Sequence, residues 1–195
     1  MLDGLRETPS CPPISIDTSK AEIARRALVA GAAIVNDVSG LARHPAMAEV
    51  VAAIGAGLVV MHDRETIDPA IDIVEDVMRG IEAGLERARR AGIADEAVAI
   101  DPGIGFGRTY RQSLLCVAAL GRLRAFGRPI LLGLSRKAFI GALSDPPLPA
   151  SERLGGTIAG NIFGAMAGAD IVRVHDVREH VQALRLWRAL REIAA

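Results

Sequence analysis

Short runs rich in aliphatic and β-branched residues alternate along this sequence with longer helical runs, and glycines punctuate the changes between them. That alternation restricts the chain to βα units around a parallel sheet, since parallel neighbours need a crossover long enough to hold a helix. Six runs read as strands: Ile14–Asp17, Ile34–Asp37, Leu58–His62, Val98–Asp101, Ile130–Leu134 and Ile171–His175. Ser19 followed by Glu22 predicts a capping box for a helix from Lys20, and Gly31 stands where that helix would stop. Pro45 fits the first turn of a second helix, ended near Gly55. A longer helix is expected from Pro69 to Ala91, and others precede Gly127 and cover much of Glu152–Ala167. From Val177 onward, Val181, Leu184, Trp187 and Leu186 or Leu190 recur at helical spacing, which assigns Trp187 to core packing rather than to a ligand platform.

At 195 residues, half of them hydrophobic, the chain can bury one sizeable core, so a single domain over residues 1–195 is expected. Lys plus Arg and Asp plus Glu both total 23, which leaves no global field to draw the chain to nucleic acid or acidic lipid. Cys11 and Cys116 match neither a disulfide framework nor a metal-site spacing and read as small apolar fillers in a reducing compartment. No basic head leading into an apolar run opens the chain, and no apolar stretch is long enough to span a bilayer, so a cytoplasmic setting follows by default.

An open doubly wound sheet and a (β/α)₈ barrel both accommodate such units, and the strand endings favour the barrel. Asp17, Asn36 with Asp37, His62, Asp101, the Ser135-Arg136-Lys137 run and Arg173 with His175 stand at or just past successive strand ends. A parallel barrel gathers such endings at its carboxyl rim, where barrel enzymes build their sites.

Asp17, Asn36 and Asp101 offer two carboxylates and an amide, suited to a flat heterocycle with an amidine-like edge such as a pterin. Taken singly, each reads more simply as a helix cap or turn residue. The glycines of Asp101-Pro-Gly-Ile-Gly-Phe-Gly107 allow close approach to a ligand, although the segment is neither a Walker loop nor a dinucleotide fingerprint, and alone it reads as a tight βα turn. Ser135, Arg136 and Lys137 together with Arg173 and His175 suit a phosphate or diphosphate, and that is preferred over salt bridges to Asp101, Asp170 or Asp176. A lone histidine such as His62 is more simply a structural hydrogen bonder, with no second histidine at metal-ligand spacing. His44 and His180 read as solvent-facing.

In order and spacing, Ile14-Ser-Ile-Asp-Thr-Ser-Lys20, Val35-Asn-Asp-Val-Ser-Gly40, Met61-His62, Asp101 to Gly107, Gly133-Leu-Ser-Arg-Lys137, Glu152-Arg153 with Gly156-Thr157, and Arg173-Val-His-Asp-Val177 resemble the dihydropteroate synthase family. The resemblance implies a TIM-type (β/α) barrel, here incomplete, with about six of eight βα units corresponding to strands three to eight. It implies condensation of a 6-hydroxymethyl-dihydropterin diphosphate with 4-aminobenzoate in folate biosynthesis, with release of diphosphate and with Mg²⁺ as cofactor. Asp17, Asn36, Met61, Asp101, Gly133 and Lys137 would hold the pterin, with Asp17, Asp101 and Lys137 as the catalytic set. Arg173 and His175 would bind diphosphate, and Phe106, Ser135 and Lys137 would line the aminobenzoate side. No metal ligand is identifiable, because the family's metal-binding asparagine belongs to the two units expected ahead of Asp17.

Departures from the family pattern are the run Asp63-Arg-Glu-Thr-Ile-Asp-Pro69, Arg108 in place of lysine, and Gln112-Ser113 in place of His-Asn. A barrel short of two units is expected to expose two sheet edges and to self-associate, with a homodimer as one form of this. The alternatives to a synthase are a catalytically incompetent remnant that binds pterin or diphosphate, and a pterin-dependent methyltransferase domain. The anion cluster argues against the last, since methyl transfer needs no diphosphate site.

Overall fold

The structure is a computed structural model that describes residue 4 and residues 11–194. Met1 to about Arg6 reads in the sequence as the tail of a helix, a stretch that lies, Gly4 apart, outside the described residues. The chain packs as two compact units, one of Met1–Asp63, Glu75–Gly103 and Phe126–Pro129, the other of Arg64–Val74, Ile104–Ala125 and Ile130–Ala195.

The first unit is built on a parallel sheet of four strands in the order β1 (Ser15–Asp17), β2 (Ile34–Asp37), β3 (Gly57–Met61) and β4 (Val98–Asp101). Its inner strands are apolar in near-continuous runs, as a sheet covered on both faces requires: Leu58, Val59, Val60 and Met61 are all buried. Helices α1 (Ala21–Val29) and α2 (Ala46–Ile54) pack together, burying Ala24, Ala27 and Leu28 of one and Met47, Ala48 and Val51 of the other. Helix α3 (Ile73–Arg90) buries Ile73, Val77, Ile81, Leu85 and Ala88, the stripe that a 3.6-residue period places on one face.

The second unit contains α4 (Tyr110–Ala118), a 3₁₀ stretch, the short strand β5 (Leu131–Leu132), α5 (Ala138–Gly141), α6 (Leu154–Ala167), β6 (Ile171–Val172) and α7 (Val177–Ala194). Strands β5 and β6 pair in parallel. They are shorter than the expected runs, and beyond the Arg173 amide, which still donates to the Leu132 carbonyl, the His175 amide turns to the Ser135 hydroxyl. Helix α6 lies so close over β5 that a Cβ on Gly164 would fall 2.2 Å from Leu132 Cδ2.

Several local expectations are corrected. Helix α1 begins after Lys20 without a side-chain cap, and Glu22 instead pairs with Arg25 at 2.7 Å. The long helix starts at Ile73 rather than Pro69, because Asp68 and Asp72 accept the amides of Ala70 and Val74 and hold that stretch as turns. His180 is buried, 2% exposed, with Nδ1 2.7 Å from the Asp176 carbonyl. Trp187 is only half-buried, with the Arg191 guanidinium 5.7 Å from its ring, and α7 exposes Val177, Val181, Leu186, Leu190 and Ile193. Among the described residues the four-stranded sheet ends at β1 and β4, β5 and β6 form a separate two-stranded pair, and no helix is long and apolar enough to cross a membrane.

A capping box does form, at the start of α4. Thr109 Oγ1 accepts the Gln112 amide at 3.1 Å, and Gln112 Oε1 accepts the Thr109 amide at 2.9 Å. Gln112 Nε2 also donates to the Asp68 carbonyl at 2.7 Å, so Gln112 binds the departing run to the helix start. Thr109→Ala is expected to lower stability by about 1 kcal/mol in denaturant unfolding, the usual loss for an N-cap hydroxyl.

Candidate functional site

Strand register decides which side chains of the first unit share a face, because side chains alternate along a strand and register partners on parallel neighbours point the same way. Asp17 pairs with Asn36, Asn36 with Val59, and Met61 with Asp101. Val59 and Met61 are two apart, so Asp17, Asn36, Met61 and Asp101 lie on one face, at the carboxyl end of four successive strands. Asn36 Nδ2 donates to Asp17 Oδ2 at 3.2 Å. Its Oδ1 is buried with no hydrogen-bond partner among the described residues. Asp101 is buried and accepts the Gly103 amide on Oδ1 at 2.7 Å. These groups supply carboxylate and amide oxygens and an amide donor from adjacent strands, which is what the edge of a fused nitrogen heterocycle needs.

Residues one step out of phase are structural. Asp37 accepts the amides of Ser39 and Leu41 at 3.0 and 2.8 Å and the Ser39 hydroxyl at 2.9 Å, so it is a turn residue. His62 follows Met61 and turns to the helix side, with Nε2 3.2 Å from Asp76 Oδ2 on α3. Its ring lies on Gly80, where a Cβ would come 1.9 Å from His62 Cδ2. The expectation of a structural histidine holds. Asp76 and Gly80, spaced one helical turn apart to receive that ring, were not singled out from the sequence.

In the second unit, Ser135 and His175 meet: Ser135 Oγ lies 2.7 Å from His175 Nδ1 and accepts the His175 amide at 3.1 Å. Lys137 Nζ stands 4.1 Å from the centre of the Phe106 ring, and its stem passes 3.2 Å from where a Cβ on Gly105 would sit. The Arg173 amide donates to the Leu132 carbonyl at 2.9 Å, extending the β5–β6 register to Gly133. His175 and Ser135, Arg173 and Gly133, and Lys137 and Phe106 are thus gathered within this unit. Such a set of cations and hydroxyl suits an anionic group and an aromatic ring side by side.

Arg136, counted among the cations on sequence grounds, is the exception. Its guanidinium pairs with Asp176 through Nη2 and Nε at 2.5 and 3.2 Å. The hydrogen bond from Arg136 holds the Asp176 carboxyl below the ordinary carboxylate range, and Asp176 raises Arg136 in return. A carboxylate lowered on folding contributes stability above its unfolded pKa and loses it as pH falls through the folded value, so the pair is fully formed at neutral pH. Asp170, another of the three carboxylates weighed as salt-bridge partners, accepts the Ile130 amide at 2.9 Å. Among the described residues no three His, Cys, Asp or Glu side chains gather as a metal ion would require.

Parallel βα units with polar groups concentrated at the strands' carboxyl ends define a class of small-molecule α/β enzymes and binding proteins. Within that class, the family model described as pterin binding enzyme matches residues 1–175. The dihydropteroate synthase of Clostridium beijerinckii is 41% identical over 175 residues, which cover 89% of this chain and 64% of that protein. That of Bacillus subtilis is 39% identical over 181 residues, covering 91% and 61% respectively. The crystal structure of dihydropteroate synthase from Clostridium difficile in the presence of pteroic acid superposes with a TM-score of 0.92 at 39% identity, covering 97% of this chain and 71% of that one. This chain belongs to the pterin binding enzyme family. It spans less than two thirds of the length of the curated relatives it matches.

Proposed function

We propose that this chain carries the pterin- and diphosphate-handling residues of a dihydropteroate synthase. The observation that carries this is the single face shared by Asp17, Asn36, Met61 and Asp101 on four successive parallel strands. In the proposed reaction the bond between the pterin methylene carbon and the diphosphate oxygen breaks, and the electron pair leaves with the diphosphate. The 4-aminobenzoate nitrogen bonds to that carbon and gives up its proton to solvent. Asp17 and Asp101 would stabilise positive charge developing on the pterin, Arg173 and His175 would take the departing anion, and Lys137 with Gly133 would complete the pterin contacts. Phe106, Ser135 and the Lys137 stem would line the aminobenzoate side.

The described residues do not by themselves fit a Mg²⁺ site. The ion is proposed only as a companion of the diphosphate, and no step is routed through it. The same proposal includes a (β/α)-barrel assignment for the six strands, small-molecule substrates, a cytoplasmic setting, and self-association through apolar residues such as those exposed on α7.

The pairing of Ser135 with His175 beside Arg173 favours the synthase over a methyltransferase, because it supplies an anion site that methyl transfer does not use. The direct test is release of diphosphate from the pterin diphosphate by this chain. Release that requires 4-aminobenzoate supports the synthase. Tight pterin binding with no release at high protein concentration supports the remnant.

A further inference from the structure

The run Ser135-Arg136-Lys137 is folded by a residue in an unfavourable conformation. The Lys137 amide donates to the Leu134 carbonyl at 3.1 Å, closing a four-residue turn whose third residue is Arg136. Arg136 has φ of 58°, in the left-handed region where turns ordinarily use glycine or asparagine. A side-chain-bearing residue persists there only when its surroundings over-determine it. Here both of its backbone polar groups are held from α6 and its N-cap. The Arg136 amide donates to Thr157 Oγ1 at 3.2 Å, and the Arg136 carbonyl accepts Arg153 Nη1 at 2.9 Å. Thr157 and Arg153 are themselves joined, since Thr157 Oγ1 donates to the Arg153 carbonyl at 2.7 Å, and Arg153 Nε is fixed on the Leu148 carbonyl at 2.9 Å. Thr157 is fully buried, so this hydroxyl has no water to exchange with.

We propose that Arg153 and Thr157 are positioning residues, which clamp the carbonyl and amide of Arg136 so that its left-handed turn sets Ser135 against His175 and Lys137 over Phe106. The inference deepens the anion-site reading above and rests on it for the roles of Ser135 and Lys137. The Arg136 side chain adds to the clamp through Asp176 instead of reaching a ligand. Without the clamp the turn relaxes toward negative φ at Arg136, and the side chains on either side of it change direction.

The experiment compares Thr157→Val and Arg153→Met, which keep shape and remove the hydrogen bonds, with each combined with Arg136→Gly. Two readouts are taken on the whole chain: affinity for inorganic diphosphate by calorimetry, and the ring-current shift that Phe106 imposes on the Lys137 ε-protons. Each single variant is expected to weaken diphosphate binding about tenfold and to reduce the Lys137 shift, the response expected when one strained residue is released. Arg136→Gly, which adopts the turn without strain although it gives up the pair with Asp176, should restore most of both in the combined variants. Resonances and affinity unchanged in the single variants overturn the clamp, and so does failure of Arg136→Gly to restore them. Failure of the unaltered chain to bind diphosphate counts against the anion site itself, and the Lys137 shift then decides the clamp on its own.

Discussion

Asp101→Asn is expected to weaken binding of a pterin to this chain by on the order of 100-fold, or about 3 kcal/mol, while leaving its thermal unfolding nearly unchanged. The residue is buried, and both its side chain and its backbone are held. Its Oδ1 accepts the Gly103 amide at 2.7 Å, and its backbone carbonyl accepts the His62 amide at 3.0 Å. Asparagine keeps the shape and an acceptor oxygen, so the turn to Gly103 survives. What is lost is the charge opposite the guanidine-like edge of the ring, and one of two acceptors becomes a donor facing a donor. Calorimetric titration with 6-hydroxymethylpterin measures the difference. A loss in affinity matched by an equal loss in stability would instead mean that Asp101 acts as a structural group.

Gly103→Ala should have the largest effect on stability, a loss of more than about 3 kcal/mol and failure to fold at ordinary temperatures. Two causes add. Gly103 has φ of 67°, and a Cβ built on it falls 1.9 Å from the His62 carbonyl oxygen, a backbone atom that cannot turn aside. His62 is pinned in turn by Asp76 and Gly80 on α3, so the strand end has no room to retreat. Gly92→Ala separates the two causes: Gly92 has φ of 80° with nothing within 4 Å of the added carbon, so it should cost only about 1 kcal/mol. Equal losses at the two positions, by urea unfolding, would show that the contact with His62 adds nothing.

The strands and the polar groups at their ends were legible because a period of two and a period of 3.6 leave different marks, and β1 to β4 fall within a residue of the expected runs. Register was not legible. The sequence alone could not separate Asn36 from Asp37 or Met61 from His62, since adjacent residues carry equally suitable chemistry, and only the pairing of Asn36 with Val59 shows which faces which way. The Ser19 and Glu22 pattern predicts a capping box, and the box forms instead at Thr109 and Gln112. Tertiary contacts, such as that of Gln112 with the Asp68 carbonyl, decide where the box forms. Trp187 is half-buried rather than in the core, because helical spacing reports a stripe of apolar residues without reporting what covers it. Arg153 and Thr157 were visible only as part of the family resemblance. Their hydrogen bonds to a backbone turn 17 and 21 residues earlier leave no local pattern in the sequence.

The central claim is that Asp17, Asn36, Met61 and Asp101 form one pterin-holding face. Its most direct test is titration of the unaltered chain and of Asp101→Asn with 6-hydroxymethylpterin. Saturable binding to the unaltered chain that is lost in the variant is the predicted result. No binding to the unaltered chain, or equal binding to both, would contradict the account.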